Sequence, residues 1–479
     1  MGSNEIFALR KQGRSAQALE MARAEHPSNA DDLWFQRAYG WALYDHVKKL
    51  VDAYEEKQLS ASGLDAQLTP YMREFARMAT ALRGDAVFSQ MLRLAGKVAK
   101  DWRDFLAFAR WAGIDSFSED DKKPFVNPAG KTIDSLQRRF IRAVCREAVA
   151  KAVDPQSDQA LNEWGLSVLE KALENEPNDQ WLNYYQSKRH LANGEPDLAI
   201  KRLLPVLRRQ SRAAWPWALL GEILEIEHPQ DALTCYAHAT QLAREEQEVA
   251  KVRIHLAQRL ALVGRFNEAA YQANLALQYR EKHAYKVPQE LHQLLASEWY
   301  QEALVNNCLQ PLPQAESDAC ALLQQLDRQN LTYTRGVIDH VNTEKALSYI
   351  ATGAATGFGL PHRKFPAVAG LLPGTVLEIG QAEPEGYPLD WRMSEAQTIP
   401  GLCEMFSGTL ERQEGKLFAF IRTSQDDVFV PPEAAEAFTP GTQYDVTCLA
   451  IRRTNKQGKT GWRAVKFIEE KEDQPPADF

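Results

Sequence analysis

The most constraining feature of the sequence is a short alternating segment near its C-terminus, residues 407–432 (SGTLERQEGKLFAFIRTSQDDVFVPP). Successive residues of a β-strand point to opposite faces, so Phe418 and Phe420 are expected on one face of a strand and Phe429 on its neighbour. A sheet with aromatic residues on this face either packs against another layer or stacks on flat ligands such as nucleobases. Apolar residues at the alternate positions predict the buried face of the same sheet: Leu417, Ala419, Ile421, Val428 and Val430.

This segment resembles the cold-shock domain, a five-stranded OB-fold barrel that binds single-stranded RNA and DNA. The resemblance lies in residues 416–421 (KLFAFI), which match the first ribonucleoprotein motif, and in residues 428–430 (VFV), which match the second. Leu417 and Ala419 stand where the family has glycines, and Pro431 stands where it has a histidine. The resemblance therefore implies the fold more strongly than a cold-shock protein's affinity or base preference.

An internal repeat extends this prediction upstream. The same order of motifs occurs twice, first as Gly336, residues 345–350, residues 373–375 and Trp391, and then as Gly408, residues 416–421, residues 440–442 and Trp462. Repeated motifs with variable spacing are typical of duplicated domains, so we predict two small cold-shock-like OB barrels, residues 331–400 and 401–468. The first copy keeps Tyr349 opposite Phe420 but has Leu347 for Phe418 and Gly359 for Phe429, so the second copy is the better predicted platform. The two tryptophans are expected in the barrel cores.

Residues 1–330 show a helical apolar period instead. Trp181, Trp215 and Val249 are spaced 34 residues apart, and each is followed by a turn and then by Ala199, Ala232 or Ala269. This pattern resembles the tetratricopeptide repeat, with a generic helical solenoid as the alternative. The predicted fold class is therefore multidomain, α then β: an N-terminal helical region (1–155), tetratricopeptide-like helical repeats (156–330), and the two barrels.

Positive charge next to the aromatic residues is the second requirement for nucleic-acid binding. The formal net charge of the chain is −8, so binding must come from a local patch. Basic residues cluster in the predicted hairpin between the last two strands of the second barrel, which flanks the binding face of an OB fold. The predicted nucleic-acid-binding residues are Lys416, Phe418, Phe420, Phe429, Arg452, Arg453, Lys456, Lys459 and Tyr349.

A second basic feature lies in the helical region. Arg138, Arg142 and Arg146 are spaced four residues apart, with Arg139 beside them, and they predict a stripe along one helix. Such a stripe is usually a solvated face, and the alternative is a contact for RNA or for an acidic protein.

The sequence contains no recognisable catalytic, nucleotide or metal motif, so we predict neither an enzyme nor a cofactor or metal site. Six scattered cysteines without a CxxC pair suit a reducing compartment. The sequence has no apolar run long enough to span a membrane and no signal-peptide core, so a cytoplasmic protein is expected. The acidic residues 469–479 predict a flexible tail.

These features predict a non-enzymatic adaptor, of bacterial type, that acts in RNA metabolism or antiviral defence. It would bind single-stranded RNA or DNA through the second barrel and a protein partner through the helical region. Two alternatives remain open, a scaffold that binds only proteins and an accessory subunit of a separate nuclease or helicase. The sequence does not distinguish RNA from DNA, and it does not indicate the oligomeric state.

Overall fold

A computed structural model describes residues 2–382, 386–455 and 457–468. The chain forms two compact units, Met1–Cys320 and Ala321–Phe479. Lys456 and the acidic residues 469–479 lie outside the described residues, so the binding role predicted for Lys456 and the tail predicted for 469–479 stay predictions.

The first unit consists of helices joined by short connections, with one small β-hairpin. The helices are α1 (Gly2–Lys11), α2 (Ser15–Asn29), α3 (Leu33–Glu55), α4 (Ala61–Met78), α5 (Ala86–Val98), α6 (Phe105–Ala112), α7 (Leu136–Lys151), α8 (Gln159–Asn175), α9 (Gln180–Ala192), α10 (Pro196–Arg209), α11 (Ala214–Leu224), α12 (Pro229–Leu242), α13 (Glu246–Leu262), α14 (Phe266–Lys282), α15 (Gln289–Leu295) and α16 (Glu298–Val305), with a 3₁₀ turn at Thr80–Leu82. A further helix, α17 (Glu316–Gln329), begins in this unit, and its residues from 321 onward belong to the second. The hairpin strands are β1 (Phe125–Val126) and β2 (Thr132–Ile133). The N-terminal region is therefore helical, as predicted.

Consecutive helices between residues 180 and 282 pack as hairpins, α9 with α10, α11 with α12 and α13 with α14. Trp181, Trp215 and Val249 all lie near the beginning of the first helix of a hairpin. Gly194 and Gly264, both with positive φ, occupy two of the turns, because a left-handed residue ends a helix most easily when it lacks a Cβ. Ala199, Ala232 and Ala269 are buried in the second helices. The tetratricopeptide-like assignment of these hairpins stays a prediction.

Apolar residues at helical spacing explain why these helices pack together. In α10 the buried side chains include Ala199, Leu203 and Leu207, four residues apart and therefore on one face. In the N-terminal part of the unit, a larger apolar cluster continues from α1 to α9 and includes Phe88, Trp102 and Phe140. This cluster crosses residue 155, where the sequence analysis placed a domain boundary.

The second unit contains two five-stranded sheets. The strands of the first are β3 (Thr332–Asn342), β4 (Leu347–Ala351), β5 (Gly357–Pro361), β6 (Val376–Gln381) and β7 (Asp390–Met393), and a 3₁₀ turn at Pro366–Gly370 follows β5. The strands of the second are β8 (Cys403–Glu411), β9 (Ala419–Arg422), β10 (Val428–Val430), β11 (Gln443–Thr454) and β12 (Thr460–Ile468), with the short helix α18 (Pro432–Ala435) after β10.

The second sheet closes into the five-stranded barrel that the sequence predicts, in the order β10-β12-β11-β8-β9. Parallel pairing of β10 with β12 completes the closure, through Val428 with Trp462 and Phe429 with Arg463. Trp462 is buried and packs on Phe406 at 4.8 Å between ring centroids, in agreement with its predicted place in the core.

The first sheet has the strand order β5-β4-β3-β6-β7 and is open within the described residues, where the sequence predicts a closed barrel. Closure would require β5 to pair with β7, as β10 pairs with β12. The strand β5 ends at Pro361, which has no amide hydrogen for a further ladder bond, and β7 is only four residues long. Trp391 on β7 is half-buried against the apolar cluster of this sheet.

Two features nevertheless recur at corresponding positions of the two sheets. Tyr349 pairs with Gly359 across β4 and β5, as Phe420 pairs with Phe429 across β9 and β10. Gly336 lies on β3 against β4, where an added Cβ would lie 2.6 Å from Ile350 Cγ2. Gly408 lies on β8 against β9, where an added Cβ would lie 2.2 Å from the main-chain oxygen of Arg422. Their backbones therefore approach the neighbouring strand more closely than a side chain permits.

A shared apolar cluster and an ionic group connect the two sheets. Val337, Ala351 and Val376 of the first sheet pack with Cys403 and Ile451 of the second, among others. Beside this cluster the buried carboxylate of Asp339 on β3 binds Arg453 and Arg463 on β11 and β12. The two sheets therefore form one packed unit.

Candidate nucleic-acid interface

Three phenylalanine rings form an open cluster on the outer face of the barrel. The ring centroids of Phe418, Phe420 and Phe429 lie 5.7 to 5.8 Å apart in all three pairs. Phe420 is 42% exposed, and the other two are partly exposed. We refer to these three residues as the ring platform. The predicted stacking residues therefore come together and remain accessible within the second unit.

The alternation of strand residues places the platform. Ala419 and Ile421 on β9 and Val428 and Val430 on β10 are buried in the barrel core, so the intervening phenylalanines must point outward. Leu417 departs from the prediction, since it is 69% exposed where a core position was expected. Its neighbours at Glu414 and Gly415 form the turn before β9, so residue 417 precedes the strand and does not follow its alternation.

Two cationic side chains lie beside the rings. The Lys416 ammonium lies 6.0 Å from the centroid of Phe418. Arg422 on β9 is exposed and two residues from Phe420, hence on the same face. Within the described residues no carboxylate lies at salt-bridge distance from either cation. Arg422 was not among the predicted binding residues, although the strand alternation that predicts the position of Phe420 also indicates it.

The basic hairpin between β11 and β12 is only partly available for binding phosphates. Arg452 and Lys459 are exposed, and the Arg452 guanidinium lies 5.9 Å from the Trp462 ring. The carboxylate of Asp426, in the loop before β10, accepts a hydrogen bond from Trp462 Nε1 at 3.2 Å and so places negative charge next to this hairpin. These contacts make the hairpin a weaker anion site than its basic residues indicate.

Arg453 performs a structural task in place of the predicted open phosphate contact. Its guanidinium donates to the main-chain oxygens of Gly353, at 3.0 Å, and Thr356, at 3.3 Å, and it lies 3.6 Å from the carboxylate of Asp339. Gly353 and Thr356 lie in the loop between β4 and β5 of the first sheet, and Asp339 lies on β3. The side chain is therefore held between the two sheets.

Tyr349 is likewise enclosed by its neighbours. Its ring stacks on His340 at 5.4 Å, and the Arg453 guanidinium lies 5.3 Å from its centroid. A Cβ on Gly357 would touch its hydroxyl oxygen at 2.8 Å, which shows how closely the ring lies over β5. Tyr349 is therefore separate from the ring platform and belongs to the contact between the sheets.

The arginine stripe on α7 is largely neutralised inside the first unit. Arg138 and Arg142 both donate to the buried carboxylate of Asp179, at 2.8 and 2.5 Å, and Arg146 binds Glu147 at 2.8 Å. Burial of Asp179 alone would raise the pKa of its carboxyl, but hydrogen bonds from Arg142 and the Leu182 amide outweigh this effect and lower the pKa. Most of the stripe is therefore part of the packing between α7 and α9.

A groove of about 880 Å³ lies along the same two helices, and we call it the α7–α9 groove. Its lining includes Val149, Val153, Tyr184, Tyr185 and Leu191, and no carboxylate is among its described lining residues. Arg139 and Lys188 border it, and neither has a described carboxylate at salt-bridge distance. Burial and the nearby Arg93 both lower the pKa of Arg139, because each disfavours its positive charge.

The described residues contain no group of three histidine, cysteine, aspartate or glutamate side chains placed to hold a metal ion. None of the described helices is both long and apolar enough to cross a membrane.

Comparison with known families agrees with the barrel geometry. Residues 404–467 match a family model described as S1/CSD-like domain 2 of the TOTE conflict systems. Residues 180–319 match a model described as a domain of unknown function, DUF7017. No curated protein matches the chain. The C-terminal barrel is thus similar to S1 and cold-shock-like domains, which suggests nucleic-acid binding in the context of a TOTE conflict system.

Proposed function

We propose that this chain is a non-enzymatic adaptor that binds single-stranded RNA or DNA through the ring platform and a protein partner through its helical unit. The observation that carries the proposal is the open cluster of Phe418, Phe420 and Phe429 with Lys416 and Arg422 at its edge. Exposed rings stack on bases of any sequence, and adjacent cations hold the phosphates, which is how OB folds bind single strands.

The proposal also includes a second OB-type domain and a tetratricopeptide-like solenoid. The strand order shared by the two sheets, and the close approach at Gly336 and Gly408, support the first sheet as a second OB-type domain. The paired helices from α9 to α14 support a tetratricopeptide-like solenoid. In a cytoplasmic conflict system, such a scaffold would present a partner to the nucleic acid.

The α7–α9 groove supports the protein-binding half of the proposal. Its lining is mainly apolar, and the Trp181 ring is already stacked on Trp215 at 4.8 Å, while Tyr184 packs edge-on against Trp215 at 4.9 Å. Because these rings already pack on one another, the groove suits apolar side chains better than stacked bases. With Arg139 and Lys188 at the rim, the partner that fits is an acidic segment with apolar anchors.

Fluorescence anisotropy of the full chain with labelled single-stranded RNA and DNA tests the nucleic-acid half. Each stacked base contributes about 1 to 3 kcal/mol, so replacing all three platform phenylalanines with alanine should abolish binding at micromolar protein. Tyr387→Ala is the matched control, since it removes a fully exposed ring elsewhere in the second unit. If the triple variant binds as tightly as wild type, the stacking role of the platform is wrong.

The alternative, a scaffold that binds only proteins, is favoured by one observation. Leu417 is exposed beside the rings and gives them an apolar margin that a protein surface also fits. The same titration separates the two functions, because a protein-only scaffold shows no salt-dependent binding of either nucleic acid.

A further inference from the structure

A second stack of planar groups lies on the first sheet. His340 and Tyr349 pair directly across β3 and β4, and their rings are nearly parallel, at 12°. The Arg453 guanidinium lies over the same tyrosine. The side chain of His340 is 53% exposed. Within the described residues Tyr349 is the only ring stacked on His340, so the histidine forms the accessible end of the stack.

Asp339 holds this histidine in place. Its carboxylate Oδ2 lies 3.2 Å from His340 Nδ1, and the carboxylate is itself buried and bound by Arg463. The ring of His340 is therefore oriented by contacts on two sides before any ligand arrives. An oriented ring loses less conformational entropy on stacking than a mobile one.

The same contacts connect His340 to the ring platform. Phe429 and Arg463 are direct neighbours in the parallel pair of β10 and β12, so their side chains leave the same face of the barrel. Arg463 Nη2 donates to the main-chain oxygen of Asp339 at 3.2 Å. Since the arginine is 33% exposed, a partly open cation lies between the platform and the histidine.

We propose that His340 is a second base-stacking site, and that a single strand on the ring platform continues past Arg463 onto this histidine. The inference rests on the proposed nucleic-acid function and extends it across both sheets. Tyr349 supports the histidine ring from behind. The barrel position that corresponds to His340 is Glu411, which pairs with Phe420, so the site is particular to the first sheet.

The length of the bound strand provides the test. The full chain is titrated with fluorescein-labelled oligouridylate and oligodeoxythymidylate of about 4, 8, 12 and 16 nucleotides, which cover the site sizes of OB folds. His340→Ala should weaken binding of the longer strands by about 5- to 150-fold, the effect of one stacked base, and leave the shortest unchanged. His340→Phe should restore the affinity, because it keeps a ring.

The other outcomes each contradict a specific step. If His340→Ala matches wild type at every length, or weakens all lengths equally, the second site is wrong. Failure of His340→Phe to restore affinity would exclude stacking as its mode of action. If wild type binds no strand of any length, the proposed nucleic-acid function itself fails. Thermal unfolding of both variants checks that the exposed position has left the fold intact.

Discussion

Asp339 accepts two hydrogen bonds from Arg463, one through its main-chain oxygen at 3.2 Å and one through its carboxylate. The carboxylate also binds Arg453, so a single buried aspartate on the first sheet holds two arginines of the second. Both arginines therefore take part in the contact between the two sheets, and they are only partly available to bind phosphates. This arrangement fixes the relation of the ring platform to His340.

Asp339→Ala is expected to destabilise the second unit. It leaves two arginines without their carboxylate, and a hydrogen bond to a charged group contributes about 1.5 to 3 kcal/mol. Urea unfolding followed by tryptophan fluorescence measures the loss, with Glu395→Ala as the control, because Glu395 is an exposed carboxylate of the same unit. Equal midpoints for the two variants would show that the ionic group contributes nothing to stability.

Removing the two cations at the platform should change the salt dependence of binding. Each phosphate contact to a single strand contributes about 0.7 to the slope of log affinity against log salt, so the double variant Lys416→Ala/Arg422→Ala should flatten it by about 1.4. The double variant Lys171→Ala/Lys201→Ala makes the same change in net charge at exposed positions of the first unit. A slope that falls equally in both variants would mean that net charge, and not the platform, attracts the strand.

Asp179→Asn should remove an acid-sensitive part of the stability of the first unit. The pKa of Asp179 is lowered in the folded protein, so its ion pairs stabilise the fold above the ordinary value of 3.8 and are lost as the pH falls through the folded pKa. The free energy of unfolding of wild type should therefore exceed that of the variant most at neutral pH, and this difference in stability should shrink below about pH 4.

Urea unfolding at a series of pH values measures this difference. Asparagine can still cap α9, so the substitution removes mainly the charge. Asp158→Asn is the control, since Asp158 caps α8 by accepting from the Leu161 amide at 3.1 Å and has no described arginine partner. A difference that does not depend on pH would argue against the ion pairs.

The cysteines should divide into two reactivity classes. Burial raises the pKa of the Cys145 and Cys403 thiols to about 12 and that of Cys448 to about 11, and it raises the pKa of Cys235 as well. Because the thiolate is the reactive form, only the exposed Cys308 and Cys320 should react rapidly with Ellman's reagent in the native protein. Rapid reaction of a third thiol would show that one of these cores opens.

Reversing the charges at the α7–α9 groove should abolish selection of acidic peptides. A displayed library of random peptides, panned on the full chain, is expected to yield sequences that combine carboxylates with apolar residues. The double variant Arg139→Glu/Lys188→Glu should lose this enrichment, while Lys171→Glu/Lys201→Glu should keep it. Enrichment of basic sequences, or none at all, would contradict the proposed partner chemistry.

Sequence reasoning located the platform because strand alternation is local. The burial of Ala419 and Ile421 follows from a period of two residues, and the outward position of Phe420 follows from it in turn. The same rule failed at Leu417, where a turn delays the beginning of the strand. Helix pairing in the first unit was also predictable from spacing, since its contacts are local.

The role of Arg453 was not predictable in this way. Its partners on the first sheet lie about a hundred positions away along the chain, and no local pattern shows that the two sheets meet there. The enclosure of Tyr349 could not be predicted for the same reason. The pairing of Arg138 and Arg142 with Asp179 also joins residues that are distant along the chain. The open first sheet depends on a pairing between distant strands, which the repeated motifs do not specify.

The barrel seam has a mechanical consequence. The β10–β12 pairing that closes the barrel consists of two positions, and parallel pairing is slightly weaker per residue than antiparallel pairing. Phe429 belongs both to this seam and to the platform, so a substitution that opens the two-residue seam would also displace one of the three rings.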